Sequence, residues 1–375
     1  MRIRRKIFLI YFFIASLSLS GCSGLSTLGS STAGDFSCGD RRRAPHLTFL
    51  TATSVTVGWE CAPGTLEVTD GAIKIQKFGE AGGNQTTVDG LIPGHRYSYQ
   101  VVIDRRTFGQ GSFRAPKSDL ESFSFLAFGD SGSGNGAQRS VAAAMGKEAD
   151  IQFGIITGDV VYPGGADGDY DAKFYAPYRG LIDHLPFLPA VGNHDIQARG
   201  GEAFLKNFYL PQGRFYYDFW WGRSHFIALD SNEIDDPDQM EWLKEVLAEE
   251  AKWKVVFFHH PPYSSSSHGS HPGIRNAWGG LFQRFGVDLV LTGHDHGYER
   301  TKPINGTTYI VTGGGGQRLY PSGSSEFTAA GRSTHHFIRI DVRPETLTLQ
   351  AIGVDGRAFD AATLSQRNIS GQASQ

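Results

Sequence analysis

Five short segments of this chain carry residue types that hold hard or borderline metal ions. They are Gly129-Asp130-Ser131-Gly132, Gly158-Asp159-Val160-Val161-Tyr162, Gly192-Asn193-His194-Asp195, His259-His260-Pro261-Pro262 and Gly293-His294-Asp295-His296. Carboxylate, amide and phenolic oxygens and imidazole nitrogens are the donors such ions prefer. A glycine ahead of the donor lets the backbone turn sharply and present the next side chain. One Gly-Asp alone is an ordinary turn; five such segments in one chain form a constellation whose chemistry is metal binding.

The segments follow apolar runs, at Phe123 to Phe128, Ile151 to Thr157, Phe187 to Val191, Val255 to Phe258 and Val287 to Thr292. Runs of this length read as buried strands. Helical stretches lie between some of them, at Gln138 to Glu148 and Pro237 to Glu250. In the second, Met240, Leu243, Val246 and Leu247 share one face. Buried strands alternating with helices predict an α/β core, whose ligands bind beyond the carboxyl ends of the strands. Residues 45–116 read differently, as short strands with turns. Ser54-Val55-Thr56-Val57-Gly58-Trp59 has β-branched residues and a Trp at alternating positions, and Ala62-Pro63-Gly64 is a turn.

The order Gly-Asp-x-Gly, Gly-Asp-x-x-Tyr, Gly-Asn-His-Asp, His and Gly-His-x-His resembles the calcineurin-like metallophosphoesterase superfamily, and within it the purple acid phosphatases. The resemblance implies a metallophosphoesterase sandwich of two mixed β-sheets flanked by helices. Ahead of it, Leu91-Ile92-Pro93-Gly94-His95-Arg96-Tyr97-Ser98-Tyr99 is similar to the tyrosine-corner stretch of fibronectin type III-like domains, which implies a small all-β sandwich. Where many superfamily members carry a metal-binding histidine, in Asp-x-His, Gly132 stands here, and Tyr162 follows Asp159 by three. A phenolate is a hard anionic donor that favours a trivalent ion.

Carried over residue by residue, the resemblance implies two metal ions. Asp130, Tyr162 and His296 would hold Fe(III); Asn193, His260 and His294 would hold Fe(II), Zn(II) or Mn(II); Asp159 would bridge them. His260 is taken over His259 because the family's histidine stands two residues before a proline, which leaves His259 as a structural neighbour. The implied activity is hydrolysis of phosphate esters, as an acid phosphomonoesterase, by attack of metal-bound hydroxide on phosphorus. A phosphodiesterase acting on nucleotides or phospholipid headgroups is the alternative, and a non-catalytic surface binding protein the remote one. His194 and His268 are the candidate catalytic residues, to touch phosphate and to protonate the leaving oxygen. His271 of the same serine-rich loop is the alternative acid. Asp195 is expected to hydrogen-bond His194, and Asp295 to support the ligands on either side of it. Gly313 to Gly316 reads as a tight turn near the site.

Composition narrows the rest. With 40% hydrophobic and 19% charged residues and a formal net charge of −3, the 375-residue chain is globular. No basic field calls for a nucleic-acid partner. Arg2, Arg4, Arg5 and Lys6 precede an apolar run from Ile7 to Leu19 that ends in Leu19-Ser20-Gly21-Cys22. This reads as a lipoprotein signal peptide over residues 1–21, with Cys22 lipidated. The expected location is therefore an exported, membrane-anchored one, at the outer membrane, cell surface or periplasm. Cys38 and Cys61 remain as a possible disulfide. Residues 22–44 read as a flexible tether, 45–116 as the sandwich, 117–366 as the catalytic domain and 367–375 as a tail.

Overall fold

A computed structural model describes residues 43–79 and 85–366 of the chain. The expected signal peptide over residues 1–21, Cys22, Cys38 and the tail expected over 367–375 lie outside the described residues. Cys61 is disulfide-bonded. No helix among the described residues is long and apolar enough to cross a membrane.

The first strands form an antiparallel sandwich. One sheet runs Arg43–Leu50, Ser54–Glu60, Gln85–Asp89; the other runs Lys74–Gly79, Gly64–Thr69, Arg96–Ile103, Arg106–Arg114. Alternation puts Leu66, Val68, Tyr97, Tyr99 and Val101 of the second sheet inside, facing Val55, Val57 and Trp59 of the first. The expected tyrosine corner is present: the Ile92 amide donates to the Tyr97 hydroxyl at 2.8 Å. Tyr97→Phe removes that acceptor while keeping the buried ring. It is expected to cost about 0.5–1.5 kcal/mol, read as a lower urea midpoint at unchanged slope.

The first strand begins at Arg43, inside the stretch expected to be tether. The reason is a buried guanidinium. Arg43 is 3% exposed and bonds Asp171 Oδ1 at 2.8 Å, Asn207 Oδ1 at 2.6 Å and Glu60 Oε2 at 2.9 Å. Those partners span both architectures, so the sandwich is riveted to the α/β region. The Leu47 amide adds a bond to Ile182 O, and the Tyr99 hydroxyl one to Asp183 O.

From Phe123 onward two mixed sheets stack. One runs Phe187–Pro189, Ile151–Ile156, Phe123–Phe128, His336–Val342, Thr346–Gly353, Ala358–Ser365, with its first three strands parallel. The other runs Tyr217–Trp221, Ser224–Ala228, Trp253–Phe257, Leu289–Thr292, Thr308–Thr312, Tyr298–Thr301, Thr328–Arg332, parallel from the second to the fifth. Aromatic rings fill the space between the sheets. Phe153 lies 5.0 Å from Phe125 on its own sheet and 4.6–5.6 Å from Trp221, Phe226 and Phe219 on the other. The outer face of the second sheet is covered by the helix Pro237–Ala248 and by Trp278 and Phe282. That helix starts as the sequence implies, with Asp236 accepting from the Asp238 amide and proline at the first position. The carboxyl ends of the parallel strands of both sheets deliver the five motifs to one edge.

Candidate metal centre

Three of the motif residues sit where side chains seldom do. Asp130, Asp159 and His294 have φ of 54°, 51° and 69°. Left-handed backbone costs a non-glycine residue energy and persists where surrounding structure holds it, often at functional sites. Here the turn points each donor inward across the strand ends. Neighbouring glycines make room for the approach. A Cβ on Gly192 would lie 2.2 Å from Asp159 Oδ1, and one on Gly293 2.4 Å from Asp130 Oδ2.

Tyr162 stands at the middle of the first group. Its hydroxyl is 2.8 Å from Asp159 Oδ2, 3.1 Å from Asp130 Oδ1 and 3.2 Å from His296 Nε2. One hydroxyl proton cannot serve two carboxylates and a ring nitrogen at once. Four donor atoms converging on one point are the arrangement a cation takes. Burial, then the Asp130 and Asp159 charges, push the Tyr162 hydroxyl far above its ordinary pKa, so a phenolate here requires a positive ion. Gly132 explains how Tyr162 gets there. A Cβ at residue 132 would lie 1.9 Å from Val160 O, so no side chain fits. The Tyr162 amide instead donates to Gly132 O at 2.9 Å.

The second group surrounds His259. Its Nε2 is 3.1 Å from Asn193 Oδ1, 3.2 Å from His294 Nδ1 and 3.3 Å from Asp159 Oδ2. Its Nδ1 faces Thr157 O at 2.9 Å, which fixes the ring and leaves Nε2 for the cluster. Asp159 Oδ2 therefore touches both groups, as a bridging carboxylate must. Ligand atoms of Asp130, Asp159 and His259 lie within 4.8 Å of one another, as do those of His259, His260 and His294. The donor set thus fits two cations sharing Asp159.

The structure brings His259 against both groups, while His260, the expected ligand, falls in the group with His259 and His294. His259 is fully buried and belongs to both groups, whereas His260 reaches only the His294 side. His260 Nδ1 is engaged by Ser231 Oγ at 2.9 Å. The proline rule could not decide, because Pro261 and Pro262 place a proline two residues after either histidine. In the structure the strand ends at Phe257, which makes His259, like Asp130 and His294, the second residue past its strand; the apolar run in the sequence ends one residue later, at Phe258.

Electrostatics agree with metal binding. Burial opposes a charge on His259, but the Asp159 carboxylate outweighs it and raises the His259 pKa to about 10. A proton thus stands in for part of the positive charge the acids need, and metal binding would release it. Burial and the His259 charge lower His294 to about 2 and His260 to about 3, keeping both in the neutral form that coordinates metals. His296 Nδ1 is held by Arg318 O at 2.7 Å.

The remaining candidates lie around these two groups. His194 is one-third exposed; its ring is 4.5 Å from Tyr162, and its Nε2 is 4.0 Å from Asp159 Oδ2. Its Nδ1 is engaged by Pro163 O and Gln197, not by Asp195 as expected. Asp195 is instead a buried bracket that accepts from the amides of Gly192 at 2.9 Å, Val160 at 2.9 Å and Val161 at 3.3 Å. Burial and the Asp159 charge raise its pKa to about 8. His268 lies over His294, ring centroids 4.2 Å apart. Its loop is pinned by Asp295, which accepts from the His268 amide at 2.8 Å and from Ser264 Oγ, and by Glu299, which accepts from Ser265. His271 accepts from the Ile274 amide and caps a helical turn. Gly315 and Gly316 pack on Gly129 O and Ser131 O, in a bend beside the site where a tight turn was expected. Tyr320, which no motif marks, stacks on His296.

Comparison with known proteins matches residues 123–298 to the calcineurin-like phosphoesterase family. An uncharacterized protein of Mycobacterium tuberculosis is 26% identical over 272 residues, 60% of this chain and 51% of its own length. Purple acid phosphatase 15 of Arabidopsis thaliana is 31% identical over 175 residues, 40% of this chain and 32% of its own. The chain thus matches about half or less of the length of these relatives. In fold it is similar to a purple acid phosphatase from yellow lupin (Lupinus luteus) seeds, with a TM-score of 0.79 and 20% identity over 87% of this chain and 75% of that one. Residues 123–298 therefore match the calcineurin-like phosphoesterase family, and the chain is similar to purple acid phosphatases in sequence and in fold.

Proposed function

We propose that the chain is a phosphoric ester hydrolase, an acid phosphomonoesterase that works with two metal ions. The observation that carries this reading is Asp159 Oδ2, in contact with Tyr162 on one side and His259 on the other. Asp130, Tyr162 and His296 would hold Fe(III), and Asn193, His259 and His294 would hold Fe(II), Zn(II) or Mn(II), with Asp159 shared. When bound, such ions neutralise phosphate oxygens and supply hydroxide near or below neutral pH.

The chain's own residues do the rest. His194, its Nδ1 fixed by Pro163, turns Nε2 toward the cluster, where it can bind a phosphate oxygen. His268 lies on the other flank, over His294, and gives the leaving oxygen a proton as its bond to phosphorus breaks. Asp195 and Asp295 keep the turns that carry these groups in place. Export and lipid anchoring through Cys22 complete the proposal: a lipoprotein that acts on phosphate esters at the membrane.

The test is optical. Iron-loaded protein is expected to show a visible charge-transfer band that Tyr162→Phe removes. Two bound metals with phosphatase activity and no band would mean that Tyr162 is not a ligand, and would remove the argument for ferric iron.

A further inference from the structure

Tyr320 connects His296 of the first group with His268. Its ring lies parallel to the His296 imidazole, centroids 4.1 Å and planes 12° apart. Its backbone is tied down at both ends of the peptide unit: the amide donates to His296 O at 2.9 Å, and the carbonyl accepts from Ser333 Oγ at 2.6 Å. From that fixed position its hydroxyl reaches His268 Nε2 at 3.3 Å, and the two rings meet edge-on at 5.2 Å.

His268 needs such a holder. Asp295 fixes its backbone amide, but the side chain is exposed on a serine-rich loop. An exposed imidazole samples several rotamers on the nanosecond scale. The contacts on its ring include a tilted approach to His294 and the hydrogen bond to Tyr320. We propose that Tyr320 is the positioning residue for His268: its hydroxyl holds the imidazole over the site so that the ring faces the leaving oxygen. The inference rests on the hydrolytic role proposed above. Tyr320 itself need not touch the reacting atoms.

The consequence is selective. A general acid matters most when the leaving oxygen is a poor leaving group, because the proton is then needed before the bond can break. Tyr320→Phe keeps the ring stacked on His296 and removes only the hydroxyl. In the metal-loaded protein it should lower kcat for an alkyl ester such as glycerol phosphate more than for p-nitrophenyl phosphate. The ratio of the two kcat values should move by roughly tenfold, part of the ~10²–10⁴-fold typical of a general acid. The variant should have no further effect in a His268→Ala background.

A second readout does not depend on turnover. Acylation of His268 by diethyl pyrocarbonate, mapped by mass spectrometry, should be several-fold faster in Tyr320→Phe than in wild type. Equal losses on both substrates, or an unchanged His268 acylation rate, would overturn the proposal. If the wild-type protein hydrolyses no phosphate ester, the hydrolytic reading fails, while the acylation rates still report on the contact.

Discussion

His259→Ala is expected to lose one of two bound metal ions and to lower kcat/KM for p-nitrophenyl phosphate by at least ~10²-fold. His260→Ala is expected to keep both ions and to lose less than about tenfold. Each tenfold is about 1.4 kcal/mol, and one catalytic cation contributes several. The asymmetry follows from where the nitrogens are. His259 Nε2 stands within 3.3 Å of Asn193, His294 and Asp159, with its other nitrogen tied to Thr157 O. His260 has Nδ1 engaged by Ser231 Oγ and supports the ring of His294, 4.5 Å away. Metal content by elemental analysis, read beside kinetics, separates the two. Loss of one ion in His260→Ala, with two retained in His259→Ala, would restore the assignment made from the sequence.

The larger effect is expected at Asp159. Asp159→Ala should bind less than one metal per chain and lose roughly 10⁴-fold or more in turnover, because both sites share its Oδ2. The carboxylate has a second task. Its Oδ1 accepts from the His194 amide at 2.8 Å, so its removal also loosens the turn that presents Asn193 and His194. Asp159→Asn keeps a residue that tolerates φ of 51° and a similar shape while removing the charge. It should retain more metal than the alanine variant but turn over far more slowly than wild type. Circular dichroism should show both variants folded, since the aromatic layer around Phe153 lies elsewhere.

Much of this arrangement was legible in the sequence because a parallel strand announces its end. Apolar runs such as Phe123–Phe128 and Leu289–Thr292 are buried along their whole length, so the first polar residues after them mark the edge of the sheet. Asp130, Asp159, Asn193, His294 and His296 all converge there. The sandwich was legible for a related reason: alternation on its strands and the tyrosine corner at Tyr97 are local patterns.

What the sequence hid were choices between neighbours and contacts between distant segments. Two adjacent histidines before two prolines left open which of them turns further into the site. The partners of Asp195 are backbone amides, which carry no sequence signal. Arg43 looked like tether because its partners Asp171 and Asn207 are more than a hundred residues away. Tyr320 lies in an irregular stretch after the glycine run, and its meeting with His268 depends on how two loops cross.

The most direct test is a titration of metal back into the protein. Residues 23–375 would be stripped with a chelator, checked for metal content and reloaded with iron and then zinc, while hydrolysis of p-nitrophenyl phosphate is followed. The expected result is loss of activity on stripping and recovery that saturates at two metal ions per chain. Full activity in stripped protein, or two bound ions with no hydrolysis of any phosphate ester, would contradict the account.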